Sequence, residues 1–525
     1  MKHFVGHASL LAVGAIAVLG ADGASSQAPH FRLLEATIDD IHAAFAAKTI
    51  TCRQLTDLYL QRIEAYDDAG PGLNAVQTVN GAALKEADRL DAAFASGGAT
   101  GPLHCITVLV KDQIETSDMP TSYGSAVFRE FVPTRDATVV ARLKKAGAII
   151  LGKTTMGEFA QGFVSSAAGV IRNAYDRKRT ATGSSGGTGV GVTANLATVG
   201  IGEDTLGSIR NPASAGSLVG VRPTVQLVSR YGMMPARPSS DTLGPMTRTV
   251  KDAAIVLGVI AGYDGNDPLT AYAAGQVPAS YTASLDRNGL QGARIGVIRD
   301  PMDAKTEPAS DDYRKVRAVI GRAFDDLKAR GAHLIDPVAV PKLRERLAIL
   351  SEDVFEFEPA VNRYLAQHPN APARTLREIL LSGKVAPSRA RALMNVVGRS
   401  TSEAGYLRIL ATKEDIRQSV LTLMAEHRLE ALVYASYDHQ PDVIPPDPMT
   451  TTYSPRGNNR VLSSVVGFPA MTVPAGFTAD GLPAGIEFMG RPFSEPLLFK
   501  LAYAYEQATR QRKPPSLTPP LANEP

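Results

Sequence analysis

The feature that most restricts this chain is a stretch around residue 200 in which long side chains nearly vanish. Residues 182–191 read TGSSGGTGVG, and from Thr193 to Arg230 Gly, Val and Ser again dominate. Such a run cannot cover itself. It belongs in the core as strand and tight turn, with other elements crowding onto its backbone. Two adjacent serines, Ser184 and Ser185, lie among the glycines. Three readings are open here. Gly183-x-Ser185-x-Gly187 fits the nucleophile elbow of α/β-hydrolases, with Ser185 attacking. The glycines also fit a phosphate cradle. The third reading is a close-packed turn without chemistry.

The flanking sequence alternates short apolar segments with amphipathic helices. Thr51-x-x-Gln54 predicts a capping box, and Leu55, Leu58, Tyr59, Ile63 and Tyr66 follow at helical spacing. A second helix is predicted over 82–96 and a buried strand over 106–110, ending on Lys111. Asp136 is expected to cap a helix that runs to Lys145, with Gly147 beyond its end, before a strand over 148–151. Further strands are predicted over 293–298, 431–434, 465–476 and 481–489, and a closing helix over 495–510. This alternation defines an α/β layered fold. Residues 342–427 differ, being helical and charged, and are expected to form an excursion packed beside or over the site. The tail PPSLTPPLANEP is expected to be loosely held.

With 44% hydrophobic and 20% charged residues, the 525-residue chain has ordinary globular composition. A net charge of +3 and the lack of a Lys/Arg block give no reason to expect a nucleic-acid partner. Residues 1–28 resemble an export signal: Lys2, then the short apolar run LLAVGAIAVLG, then Ser26-Gln27-Ala28 as a small-x-small cleavage site. The run is too short to span a bilayer comfortably. The expectation is a periplasmic or secreted protein with no membrane span after processing, and the alternative is an N-terminal anchor. An exported protein can pair its two cysteines, Cys52 and Cys105, but their spacing does not decide between a disulfide and two separate thiols.

Several stretches narrow the function. They are GPLHCITVLVKDQI (101–114), ATGSSGGTGVG (181–191), GIGEDTLGSIRNP (200–212), GVRPT (220–224), the D-x-x-G-P-M segment at Asp241–Met246, and VVGFPAMTVPAGFTADGLPAGIEFMG towards the C-terminus. In this order they resemble the amidase signature family, over essentially everything after the leader. Within it the chain is most similar to bacterial peptide amidases, through SLVGVRPTVQLVSRYGMMP and the ending SEPLLFKLAYAYEQATRQRKPP. The resemblance implies one large α/β/α domain over 29–525 with a mixed central sheet. It implies a Lys–Ser–Ser triad: Lys111, the bridging Ser184 and the nucleophile Ser208, 24 residues further on. The backbone amides of Thr205, Leu206, Gly207 and Ser208 would form the oxyanion hole. Thr182, Gly183, Ser185, Asp204 and Arg210 would bind substrate or support the turn, and a cis peptide would precede Ser184. No metal or organic cofactor is implied. The sequence departs from the family at Leu206, where Gly is frequent, at Glu203, where a small residue is usual, and at Cys105 and Thr107, which replace a common Gly and Pro. Leu206 is costly if its backbone needs positive φ; otherwise it narrows the pocket.

The residue types suit the chemistry. An amide carbonyl is a poor electrophile, so an attacking hydroxyl must lose its proton as it attacks. A free lysine titrates near about 10.4, so a lysine base working at neutral pH must be lowered by burial. Lys111 would take a proton from Ser184 while Ser184 takes one from Ser208, and the relay would reverse onto the leaving nitrogen. A small-molecule or peptide amide is the expected substrate, with C-terminal peptide amides favoured. Aryl acylamides, carbamates and fatty amides are alternatives. So is an α/β-hydrolase using Ser185 with His427 or His439. The glutamine amidotransferases of charged tRNA also carry the signature, and the leader argues against that reading. The phosphate reading fails because no lysine follows the glycines in the G-x-x-x-x-G-K manner. Asp438-His439-x-x-Asp442 reads as a loop between prolines rather than a metal site. His104 reads as a packed structural residue. Phe355, Phe357 and Tyr364 would line an acyl pocket or simply fill the local core.

Overall fold

A computed structural model describes residue 1 and residues 31–351 and 353–525; the expected leader therefore lies outside the described residues, apart from Met1. Among the described residues thirteen strands occur: β1 Val76–Val79, β2 Thr107–Lys111, β3 Ile149–Thr154, β4 Val164–Ser165, β5 Gly169–Val170, β6 Val199–Asp204, β7 Val219–Arg222, β8 Thr242–Thr247, β9 Arg294–Val297, β10 His333–Ile335, β11 Ala431–Ala435, β12 Ala470–Phe477 and β13 Pro483–Met489. Eleven make one sheet in the order β1-β3-β2-β6-β8-β7-β12-β13-β11-β9-β10, and β4 and β5 pair separately. The sheet is mixed. β2 runs parallel to β3 and to β6, β9 runs parallel to β10 and β11, and the central pairs are antiparallel. A mixed central sheet of this kind is what the resemblance implies.

Strands covered on both faces read as continuous apolar or small-residue runs rather than alternating ones. β2 (TVLVK) and β6 (VGIGED) are buried at every position. Their parallel register, Val110 opposite Ile201, brings Lys111 and the pair Glu203–Asp204 to the same carboxyl edge of the sheet. The glycine-rich run becomes a short buried helix, Gly186–Thr193, packed on that edge.

Most predicted elements form where expected. Thr51 caps the helix Cys52–Ile63 with a complete capping box, and Gly147 follows the helix Thr138–Lys145 at φ +89°. The excursion consists of the helices Leu343–Leu350, Phe357–Ala366, Leu376–Leu381, Pro387–Met394 and Ala404–Glu426. It packs on loops near the carboxyl edge, where Tyr123, Phe128, Met156 and Phe159 share a core with Val361, Tyr364 and Leu365. Among the described residues, no helix is long and apolar enough to cross a membrane.

Three expectations need correction. Asp136 does not cap its helix, because its carboxylate is taken by the backbone N–H of Ser117 and by Lys144, and Ala137 stands at the N-cap. The strand predicted from 465 starts late: Val461–Val466 is a helix that Gly467 closes at φ +72°, and β12 begins at Ala470. The tail is tied down rather than loose. Arg62, with no exposed surface, donates to Thr518 O at 2.9 Å and Pro519 O at 3.2 Å, and pairs with Glu524 at 2.5 Å. Cys52 and Cys105, undecided from sequence, form a disulfide with Cα atoms 5.4 Å apart. It links the helix Cys52–Ile63 to the start of β2.

A chain truncated after residue 516 leaves the Arg62 guanidinium buried without its anion. Removing one partner of a buried ion pair costs about 3–5 kcal/mol. The truncated protein should therefore show a lower urea midpoint and thermal midpoint than the full chain.

Candidate active site

The carboxyl edges of β2 and β6 and the turn before the helix Gly186–Thr193 converge on a few polar groups. Lys111 Nζ donates to Ser184 Oγ at 2.7 Å, to Glu203 Oε2 at 2.7 Å and to the Glu203 carbonyl at 3.3 Å. Lys111 and Glu203 have no exposed surface, and Ser184 has 1%. Burial pushes the Lys111 ammonium down; the charge of Glu203 and its hydrogen bond oppose that without cancelling it.

Ser184 is held by its neighbours. The Gly183–Ser184 peptide is cis, as the resemblance implies. Gly157 N–H donates to the Ser184 carbonyl at 3.0 Å, and Asn211 Nδ2 donates to the Gly183 carbonyl at 3.1 Å. A Cβ on residue 183 would lie 1.8 Å from the Gly162 carbonyl oxygen, so only glycine fits. Ser185 Oγ donates to the Glu203 carbonyl at 3.0 Å and accepts from Glu203 N–H at 3.3 Å. That bonding fixes Ser185 to β6. His439 is held elsewhere, by Asp312 and Glu307 N–H, and His427 closes the helix Ala404–Glu426. The elbow reading, with Ser185 activated by one of these histidines, therefore has no geometric support.

Ser208 sits on the turn after β6, half-buried where Ser184 and Ser185 are buried, and its carbonyl accepts from Ser185 N–H at 3.3 Å. The turn is organised from below by Asp204. Its carboxylate accepts from Gly207 N–H at 2.8 Å, Ile209 N–H at 3.1 Å, Arg210 Nε at 3.1 Å and an Arg222 guanidinium nitrogen at 2.8 Å. Burial would raise this carboxyl; Arg210 and Arg222 outweigh burial and hold it well below the usual range. Arg210 also pairs with buried Glu487, which accepts from the Tyr434 hydroxyl at 2.8 Å. Asp204 and Arg210 therefore stand as supports of the turn.

The oxyanion assignment changes at one residue. Gly207 N–H points at Asp204 and is not free for a substrate. The amides of Thr205, Leu206 and Ser208 make no hydrogen bond within the protein among the described residues. Gly207 matters instead for its φ of +110° and for the Arg460 side chain, whose Nε lies 2.8 Å from where a Cβ would be. Leu206 does not have positive φ; it packs half-buried against the core of Val465, Phe468 and Ile298. Thr182, in contrast, has φ +61°, and its buried hydroxyl finds no partner.

His104 and the Asp438–Asp442 loop are held by structural contacts. His104 stacks on Phe94 at 5.3 Å and accepts from Thr100 N–H. Asp438 faces Arg317 at 3.0 Å and Asp442 faces Arg456 at 3.7 Å, so the Asp438–Asp442 loop is held by separate ion pairs. Phe355 fills a local core beside Tyr406. Phe357 meets Phe159 edge-on at 6.4 Å. Tyr364 lines a cavity of about 370 Å³ together with Asp241, Arg135, Arg230 and Tyr231. Sequence reasoning missed Glu203 and Arg222 as members of the site. The one signal was an acidic residue at 203 where the family carries a small one.

A buried lysine bonded to a serine thus stands at the carboxyl edge of a mixed sheet, beside a small-residue turn. The family model for Amidase matches residues 54–499, and the chain belongs to that family and is an amide hydrolase. It is 34% identical over 517 residues to a protein of Arabidopsis thaliana described as a probable amidase, covering 92% of each chain. It is 31% identical over 499 residues to a glutamyl-tRNA(Gln) amidotransferase subunit from Bdellovibrio bacteriovorus, covering 90% of this chain and 97% of that one. The crystal structure of the native peptide amidase from Stenotrophomonas maltophilia superposes with a TM-score of 0.83 at 37% identity, covering 93% of this chain and all of that one.

Asp204→Ala would leave Arg210 and Arg222 buried without their shared anion and release the Ser208 turn. Loss of a partner from a buried charge network costs about 3–5 kcal/mol. The variant should unfold at markedly lower urea concentration than the native chain, as followed by circular dichroism.

Proposed function

We propose that this protein is an exported hydrolase that releases ammonia from C-terminal peptide amides, with Ser208 as nucleophile, Ser184 as proton relay and Lys111 as base. The observation that carries the reading is the 2.7 Å contact between the Lys111 amine and Ser184 Oγ, both buried, beneath the half-buried Ser208. An amine lowered by burial accepts a proton from Ser184, and Ser184 accepts one from Ser208 as it attacks the amide carbonyl. The unpaired amides of Thr205, Leu206 and Ser208 belong to one turn and are the donors assigned to the developing oxyanion. On collapse of the tetrahedral intermediate the protons return along the relay to the leaving nitrogen. Water then attacks the acyl-Ser208 ester by the same path.

The similarity to a peptide amidase across nearly the full length of both chains supports peptide amides as the substrate class. The similarity to an amidotransferase component supports glutamine deamidation as a second reading, since that reaction also cleaves a primary amide. The leader-like residues 1–28 favour the exported enzyme over a partner in tRNA chemistry.

The test is a hydrolysis panel on the purified chain: C-terminal peptide amides, glutamine, anilides, carbamates and long-chain amides. Ammonia release should be greatest from peptide amides. Ser208→Ala and Lys111→Ala should each lower kcat/KM by roughly 10,000-fold or more. Ser185→Ala should retain far more activity than either. Unimpaired turnover by Ser208→Ala would remove the nucleophile assignment.

A further inference from the structure

The site contains a buried carboxylate that the relay does not use. Glu203 touches Lys111 through Oε2, and its Oε1 lies 2.6 Å from Thr205 Oγ1. The same Thr205 hydroxyl lies 2.8 Å from Asp241 Oδ1. A hydroxyl has one proton and donates to one acceptor. With Glu203 and Asp241 both ionised, its second contact would press an oxygen lone pair against a carboxylate oxygen in a dry interior. The Glu203–Thr205–Asp241 string is therefore complete only with a proton of its own on one of the two carboxyls. Asp241 Oδ2 accepts from the N–H groups of Ala236 at 2.9 Å and Arg237 at 2.8 Å; the Arg237 N–H also reaches Oδ1 at 2.9 Å, and Oδ1 is the oxygen that meets Thr205 and would carry the shared proton. Burial, then the charge of Glu203, pushes the Asp241 carboxyl up to about 7.

We propose that Glu203 is a positioning residue that sets the charge of Lys111, through a string of two carboxyls and one hydroxyl sharing a single proton. The inference rests on the Lys–Ser–Ser reading above. With the proton on Asp241, Glu203 is an anion and holds Lys111 as an ammonium, whose three N–H bonds go to Ser184 Oγ, Glu203 O and Glu203 Oε2. To switch, the Asp241 O–H passes its proton to Thr205 Oγ1 while Thr205 passes its own to Glu203 Oε1. Glu203 is then neutral, and the ammonium loses its counter-charge and gives one proton to solvent by way of the proposed Ser184–Ser208 relay, which ends at the half-buried Ser208. The amine keeps two N–H bonds, to Glu203 O and Oε2, and its lone pair accepts the Ser184 hydroxyl. Of the other charged groups around the pair, Asp204 is neutralised by Arg210 and Arg222. Tyr123, facing Asp241 and Glu203, donates its hydroxyl to Pro235 O at 2.7 Å, and Arg389 lies beyond it.

The test follows the pH dependence of covalent labelling of the full chain by phenylmethylsulfonyl fluoride, read by intact mass. The readout does not depend on the natural substrate. In this reaction the serine oxygen replaces fluoride on sulfur, and the serine proton passes to the base. In Glu203→Gln and Glu203→Thr the acid limb of the labelling rate should move to lower pH by at least about one pH unit, since an opposite charge within hydrogen-bond reach of the lysine is gone. Glu203→Asp should return the limb towards the native position. Thr is the smaller replacement and gives the readout if Gln does not fold. A limb unmoved in the neutral variants overturns the proposal, even if the rate or thermal midpoint falls, because a merely structural residue would do that. Ser208→Ala and Lys111→Ala separate the two levels. Undiminished labelling in them removes the triad reading, whereas lost labelling with an unmoved limb removes only the role of Glu203.

Discussion

Asp204 is a carboxylate with no exposed surface, and two guanidinium groups and two backbone amides converge on it. Burying one charge in a protein interior is prohibitive; burying a fully bonded set is tolerable and rigid. This set is shared between distant parts of the chain. Arg222 comes from β7, and Arg210, from the helix Arg210–Ala215, reaches on to Glu487 of β13 and to Ser463 and Ser464 of the helix before β12. The turn that carries Ser208 is thereby fastened to the centre of the sheet. Its unpaired amides are preorganised because the neighbouring ones already have a partner.

A second charged layer lies beside the first. β2 and β6 run parallel, so Lys111 and Glu203 meet at the strand ends without a loop having to bring them together. Sites at the carboxyl ends of parallel strands are a general consequence of α/β geometry. Here that geometry places a lysine where burial opposes its charge, between a serine and a carboxylate that each lie 2.7 Å from its amine. The excursion helices close the edge from above, with Arg389 bound to the Phe159 carbonyl and Tyr364 bordering the cavity beside Asp241.

The small-residue run was legible as core strand and turn because no other environment suits it, and the order of its motifs pointed to the lysine and the two serines. The capping box at Thr51, the excursion and most strands were legible for local reasons: side-chain spacing and cap chemistry act within a few residues. The errors share one cause. Asp136 looks like a cap until Ser117 and Lys144 claim it. The tail looks loose until Arg62, more than 450 residues earlier, holds it. Gly207 looks like an oxyanion donor until Asp204 accepts its N–H. In each case a partner distant in sequence, or a side chain turned back on its own loop, decides where a polar group points.

By itself, then, the sequence determined the fold class and which residues are chemically able to act, because residue size, periodicity and motif order are local properties. Only the tertiary structure decided how those residues are charged and aimed. Ser185 is tied to the backbone of β6, Leu206 sits in an ordinary backbone conformation, and Glu203 stands against Lys111. The physical reason is that charge states and hydrogen-bond directions are set by burial and by neighbours across strands, and those neighbours exist only after the sheet has formed.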